Sequence, residues 1–407
     1  GGEIIIEDGG QLVYGTSIPV TAKKNISKAT TDENGWYTIS SAVHDNDQTY
    51  VLLSHIKLII ENSLNDMYLY DEAESYWRNR KTSGSGFNRM ERGRGYLYRN
   101  GVDVTVSYVG KTNVGTLNDY TLSCQANNDL RGFNLVGNPY AHSIAKGSGK
   151  AIENTYLAIG YYVLTNAGEW MTCTDGSEIK VNQGILVQAT DAGNNQKLVF
   201  NDIRYTAPSK DGNEVDKGIE FKVENSDYSD EAYAMFEEAV GLNKISHPNE
   251  DIPMLYIRKG EKDYAIATMS DNVKSINLNF EAKTFGRYTL SVKPQGGYRY
   301  LHLIDRLAEK DIDLLVESEY SFIGSPADNA NRFIVRLEHS DSVDDEVFAY
   351  QSENDIVVSG EGELQIFDVM GRLVLRQNVN GVQTVNGLSK GVYIMRLNDM
   401  TQKIVIR

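Results

Sequence analysis

LQIFDVMGRLVLRQNVNGVQTVNGLSKGVYIMRLNDMTQKIVIR (residues 364–407) holds three strand-like runs separated by Gly and Asn. Leu364, Ile366, Val369, Leu373 and Leu375 cannot all face solvent. The segment therefore needs a second layer, and a small Ig-like sandwich supplies one. Gly371 stands where a hairpin turn requires positive φ, and Gly391 before Tyr393 reads as hairpin geometry.

The same punctuation extends upstream. Aromatics make up 10% of the 407 residues, with 25 Tyr against 11 Phe; Gly is frequent at 36 and Pro scarce at 7. That composition suits short strands and tight turns. Period-two or short apolar runs recur at residues 3–7, 51–53, 67–70, 95–98, 102–108, 184–188, 276–280 and 288–292. One stretch reads as helix: YSDEAYAMFEEAVG (228–241), capped by Ser229 or Asp230, with Ala232, Tyr233, Phe236 and Ala239 on one face.

The chain also repeats itself. NGWYTISSAV (from Asn34) resembles RGFNLVGNPY (from Arg131); DMYLYDEAESYW (to Trp77) resembles IGYYVLTNAGEW (to Trp170); RGRGYLYRN (Gly95) resembles KVNQGILVQ (Gly184). The offsets of 97, 93 and 89 keep one order and drift as loop deletions would make them. One β unit has been duplicated, and the two Trp are expected at equivalent core positions. Two copies suggest a pseudo-symmetric pair of sheets rather than a solenoid. The expected fold is all-β: tandem β-sandwich domains of jelly-roll or Ig-like type. Residues 1–204 form the duplicated unit (copies at about 28–125 and 126–204, after a short β segment). Residues 205–342 form a second sandwich, with a hairpin turning at Gly260. The acidic run SDSVDDE (340–346) reads as a hinge before a terminal unit at 348–407.

That terminal unit resembles the type A C-terminal sorting domain of the type IX secretion system of Bacteroidota. The resemblance rests on a D-x-x-G-R turn (Asp368, Gly371, Arg372), a G-L-x-x-G-x-Y hairpin (Gly387, Leu388, Gly391, Tyr393) and a closing strand from Lys403. It implies an Ig-like fold, the type IX machinery as partner, and delivery to the medium or the extracellular face of the outer membrane. The upstream region resembles the non-catalytic β-rich regions that precede such signals in surface and gliding-associated proteins and in secreted proteases. The opening GGEIIIEDGGQLVYG already reads as strand and turn, so a longer polypeptide with an export signal upstream is expected.

The net charge of −16 disfavours phosphate backbones and anionic membranes, so nucleic acid is excluded as a partner. No run of 18 apolar residues offers a transmembrane helix. Cys124 and Cys173 either pair or stay as buried thiols. No H-E-x-x-H, C-x-x-C or G-x-S-x-G occurs, and KGSGKA (146–151) and GRGYLY (93–98) lack the glycines of phosphate and dinucleotide loops. His44, His55, His142, His247, His302 and His339 are scattered, without ligand spacing. A Cys124–His142 nucleophile pair beside Asn138 has no support beyond composition. Acid-rich loops at 45–47, 227–231 and 341–346 leave calcium as the one cation to consider, yet none has the alternating carboxylates of a recognised loop. No cofactor is expected.

One stretch departs from acidity. Arg78, Arg80, Lys81, Arg89, Arg92, Arg94 and Arg99 stand against Glu91 alone, interleaved with Tyr76, Trp77, Phe87, Tyr96 and Tyr98. Arginine forks grip carboxylates and sulfates, and aromatic faces stack on sugars. Arg78, Arg80, Arg92, Arg94, Trp77 and Tyr96 therefore form a candidate patch for a surface glycan or lipopolysaccharide. The competing reading has these arginines paired with the protein's own acids. The functional expectation is a non-catalytic adhesive or structural surface region, with a carbohydrate-binding accessory to a hydrolase as the alternative. Surface exposure of Trp77 and Trp170 would favour the latter, and burial of both a core role.

Overall fold

The computed structural model describes residues 3–31, 34–46, 48–57, 64–84, 86–207, 218–339, 348–352, 355–398 and 400–406. Secondary structure among them is β-strand with two short 3-10 turns and no α-helix. The chain forms two compact units, one holding Gly1–Gly296 and Tyr300–Leu337, the other Glu338–Arg407 with Gly297–Arg299. The expected hinge at 340–346 lies outside the described residues.

The duplication is visible strand by strand. In the first copy the Trp36–Ile39, Tyr96–Asn100, Asn65–Asp71 and Tyr76–Asn79 strands lie side by side in that order. In the second copy Phe133–Gly137, Gly184–Gln188, Tyr161–Leu164 and Trp170–Cys173 take the same places. Registers coincide as well: Ile39 opposes Tyr96 as Val136 opposes Ile185, and Tyr68 opposes Leu97 as Tyr162 opposes Leu186. A two-stranded ribbon repeats too, pairing Val51 with Met90 and Ile144 with Ile179.

The two copies meet across a pseudo-two-fold seam. Ile39 bridges Gln183, and its counterpart Val136 bridges Arg94. The Ser40 N–H donates to Asn182 O at 3.0 Å, and the equivalent Gly137 N–H donates to Gly93 O at 3.1 Å. Such an approach leaves no room for side chains. A Cβ on Gly95 would lie 2.5 Å from Val136 O, and one on Gly184 3.0 Å from Ile39 O.

Each four-stranded sheet has two packed faces. On one side, Ile39, Val51, Met67, Met90, Tyr96 and Tyr98 fill the core of the first copy. Their equivalents Val136, Ile144, Tyr161, Ile179, Ile185 and Val187 fill that of the second. The opposite faces share a third cluster, where Tyr70, Trp77 and Leu97 gather with Leu164, Trp170 and Leu186. The two Trp thus occupy matching hairpin positions, as their spacing predicts.

That shared cluster also takes in Leu242, Ile245, Ala265 and Ile266, so packing does not pause at residue 204. Tyr162 donates its hydroxyl to Asn243 O at 2.7 Å, and the Trp170 N–H donates to His247 Nδ1 at 3.0 Å. Beyond residue 218 an eleven-stranded, mostly antiparallel sheet carries the chain to Phe333–His339, including the expected hairpin at Gly260. Phe280, Tyr288, Phe322 and Phe333 meet edge-to-face, drawing together strands from opposite ends of the sheet order.

The helix expected at 228–241 is instead the strand Ser229–Met235. Ala, Glu and Met favour helix intrinsically, but every second residue here points inward. Asp230, Ala232 and Ala234 are buried, while Ser229, Glu231, Tyr233 and Met235 are half-buried. The strand runs antiparallel to Gly218–Glu224 and parallel to Lys262–Thr268. Asp230 caps nothing. It takes a 2.6 Å ion pair from Lys244, with His247 Nε2 3.4 Å away, all three nearly solvent-free. Burial pushes the Asp230 carboxyl up, but the Lys244 ammonium and the His247 imidazole outweigh it and hold it below its ordinary value. The pair therefore contributes stability above the ordinary aspartate range, and that contribution is lost as pH falls through the lowered pKa.

Two outcomes follow for unfolding midpoints. Gly95→Ala should destabilise by about 1–3 kcal/mol, because the neighbour at 2.5 Å is backbone. Gly286→Ala, where a Cβ meets nothing within 4 Å, should be near neutral. Lys244→Met strands a buried carboxylate and should remove about 3–5 kcal/mol, most of it restored by adding Asp230→Asn in urea titrations.

Candidate functional site

The structure divides the expected basic patch. Arg78 on the outermost strand of the first sheet pairs with Asp71 at 2.6 Å and reaches the Tyr76 hydroxyl. Arg80 donates to Asn65 Oδ1 at 3.2 Å. Trp77 is half-buried against Tyr70 at 4.9 Å in the shared core. Tyr96 is 1% exposed inside the first core, its phenol oxygen accepting the Glu91 N–H. Tyr96 offers no face to a ligand and Trp77 is packed along one side, a correction to the expected stacking platform. The cause is strand alternation, which turns Tyr96 and Tyr98 inward together. Trp170 is also buried, at 5% exposure.

Arg92 and Arg94 do come together, in the turn between the Arg89–Glu91 and Tyr96–Asn100 strands. They line a cavity of about 500 Å³ with Arg89, Lys197, Tyr50 and Tyr120. Arg92 Nε donates to Asp119 at 2.6 Å and its Nη1 to Asn113 at 3.3 Å. Arg94 Nε donates to Glu91 at 3.1 Å, and its guanidinium lies 5.0 Å over the Tyr120 ring. Arg89 sits 4.8 Å over Tyr50 and pairs with the other oxygen of Glu91. Own acids thus anchor these arginines, as the competing reading has it, without filling the cavity. Lys197, Tyr50 and Asp119 complete the cavity without any sequence motif of their own. They arrive from distant segments, with Thr121 bridging Lys197, and no local pattern announces them.

The remaining candidates have structural partners. Cys124 and Cys173 are free thiols. Burial and the Asp191 carboxylate push Cys124 up to about 11, and burial pushes Cys173 up to about 12, so neither is poised as a nucleophile. Cys124 Sγ faces Asp191, whereas His142 is taken by Asp202 at 2.9 Å and stacked on Tyr140. Asn138 spends its amide on the carbonyls of His142, Ile179 and Lys180. Of the acidic loops, Asp45 is used by His55 and the Leu52 N–H, Asp230 by Lys244, and 341–346 lies outside the described residues. Among the described residues no cluster of three His, Cys, Asp or Glu is placed to hold a metal ion.

The terminal unit is built on one long strand. Asp355–Asp368 pairs along its length with Leu373–Val385, at its start with Ala349–Ser352, and at its end with Gly391–Leu397. Met400–Ile406 closes the edge beside Gly391–Leu397. Leu364, Ile366, Val379, Met395, Leu397 and Ile404 form its core, with Leu375 and Leu388 against it. Val369 and Leu373, expected inside, are 72% and 48% exposed because the turn carries them past the core.

The D-x-x-G-R turn is tied by its aspartate. The Asp368 carboxylate accepts the N–H groups of Met370 at 2.9 Å and Arg372 at 3.0 Å, and the Arg372 Nε at 2.7 Å. Gly371, at φ +76°, turns the chain back and donates its N–H to Asp368 O. In the next hairpin Gly387 also has positive φ, and the Tyr393 hydroxyl donates to Ser389 O at 2.9 Å beside Gly391. Lys403 is exposed on the closing strand, opposite Ile394.

Residues 347–407 match the family model of the Secretion system C-terminal sorting domain. This segment is a type IX secretion sorting domain, following an all-β region. It marks the chain for export by the type IX machinery to the outer-membrane surface or the extracellular space. Comparison with curated proteins and with solved structures gives no match.

The backbone N–H and the guanidinium of Arg372 hold the Asp368 carboxyl below its ordinary value. The turn should therefore stay tied above the ordinary aspartate range and loosen as pH falls through that lowered pKa. Amide chemical shifts of Met370 and Arg372 should report that titration, and Asp368→Ala should abolish it at every pH.

Proposed function

We propose that this chain is a non-catalytic secreted region that acts outside the cell as an adhesive or structural surface module. The observation that carries the reading is the sorting domain at 347–407. Support comes also from the duplicated β scaffold and from how its reactive side chains are used. The thiols are pushed upward in pKa, and the histidines His55, His142 and His302 lean on carboxylates of their own. Surface modules work through area and shape, which stacked sheets supply without a reactive centre.

A second reading, the carbohydrate-binding accessory, draws on the basic cavity around Arg92 and Arg94. Burial of Trp170 and packing of Trp77 speak against a flat aromatic platform, so any sugar contact on this scaffold is polar.

In a bacterium with a working type IX system, the intact chain should be recovered at the cell surface or in the medium. A version ending at residue 346 should be retained inside the outer membrane. Cells lacking the chain should attach less well to surfaces. Unchanged attachment, or turnover of a glycan or peptide by the purified chain, would remove the adhesive reading.

A further inference from the structure

The cavity at Arg89, Arg92 and Arg94 has a built-in comparison, because the second copy repeats its scaffold. The ribbon pairing Val51 with Met90 matches that pairing Ile144 with Ile179, and the seam bridge of Arg94 matches that of Gln183. At the places of Arg89, Arg92 and Arg94 the second copy carries Glu178, Val181 and Gln183. The same fold therefore forms without the three guanidinium groups. Their presence in one copy, within a chain of net charge −16, is not a requirement of the scaffold.

The donors are fixed but not spent. Arg94 uses only Nε, so its Nη1 and Nη2 have no hydrogen-bond partner among the described residues. Arg92 is held by Asp119 and Asn113 and keeps Nη2 open. With side chains only 25% and 18% exposed, both forks have already lost their rotamer freedom, so little ordering remains for a ligand to impose. Hydroxyl and amide groups of Thr49, Asn118 and Thr121 and the carboxylates of Asp119 and Glu91 line the same space, against the four cations Arg89, Arg92, Arg94 and Lys197. Guanidinium forks beside hydroxyl-accepting groups suit an oxyanion carried on a polyhydroxylated ring.

We propose that this cavity binds an acidic sugar residue, one bearing a carboxylate or a sulfate, within a polysaccharide. Arg92 and Arg94 grip the oxyanion, Arg89 and Lys197 supply longer-range attraction, and the acceptors take the ring hydroxyls. That the polysaccharide is met outside the cell rests on the export reading; the binding itself does not.

The test is calorimetric titration of the purified full chain at low ionic strength with three probes: a trigalacturonate, a sulfated trisaccharide and neutral maltotriose. One or both acidic probes should bind and maltotriose should not; which of the two binds separates carboxylate from sulfate. The double variant Arg89→Gln/Arg94→Gln, whose second change copies the residue of the other repeat, should bind roughly tenfold to hundredfold more weakly. Its melting temperature should stay close to that of the parent. Arg78→Gln/Arg80→Gln, outside the cavity, should bind as the parent does. The proposal is overturned if neither acidic probe binds more tightly than maltotriose. It also fails if the Arg89/Arg94 variant binds unchanged, or if the Arg78/Arg80 variant loses as much.

Discussion

The carbonyl oxygens of Ile39 and Val136 face glycines across the seam between the two copies, and much of the larger unit follows from that contact. With Gly184 and Gly95 in those places, the opening strands of the copies come within hydrogen-bond reach of each other's turns. One face of each sheet then closes over its own core, and the other faces are left to form a common cluster. The seam also positions the basic cavity. Arg94 bridges Val136 through its backbone while its side chain turns toward Arg92 and Tyr120, so the guanidinium inherits the rigidity of the pseudo-dyad.

Carboxylates perform a second structural task. Glu72, at the tip of the first Trp hairpin, is 4% exposed and accepts the N–H groups of Gln125, Ala126 and Gly132 and the Ser123 hydroxyl. Burial pushes its carboxyl up, but those four partners outweigh it and keep it low. The first copy thereby holds the segment that leads into the second. Asp230 with Lys244 and Asp305 with Arg332 do comparable work farther along, each pair almost wholly removed from water. An acidic composition is thus partly an internal one.

How much of this could be read from residues alone differs by feature. The duplication was legible because paired strands preserve register, and register preserves which residues recur; the Trp77 and Trp170 hairpins differ by a single loop residue. The tail was legible because its turns demand particular residues, above all Asp368 and Gly371. The strand at Ser229–Met235 was not, since Ala and Glu speak for helix and only neighbours on both sides make alternation pay. The arginine patch was half legible. Its cations stand close in sequence, but alternation sends Tyr96 inward, and the partners that shape the cavity, Tyr50, Asp119 and Lys197, come from segments far apart in the chain.

The terminal unit differs from the rest in the reach of its contacts. Its main pairings join consecutive strands, Asp355–Asp368 with Leu373–Val385 and Gly391–Leu397 with Met400–Ile406. In the duplicated unit, by contrast, Trp36 must find Arg99 and Phe133 must find Gln188 before either sheet is complete. Neighbouring hairpins close small loops and form early, whereas distant partners must first overcome a larger loss of chain entropy. The export label is therefore written in a segment whose strands find most of their partners next door, and it asks less of distant chain than the duplicated cargo does.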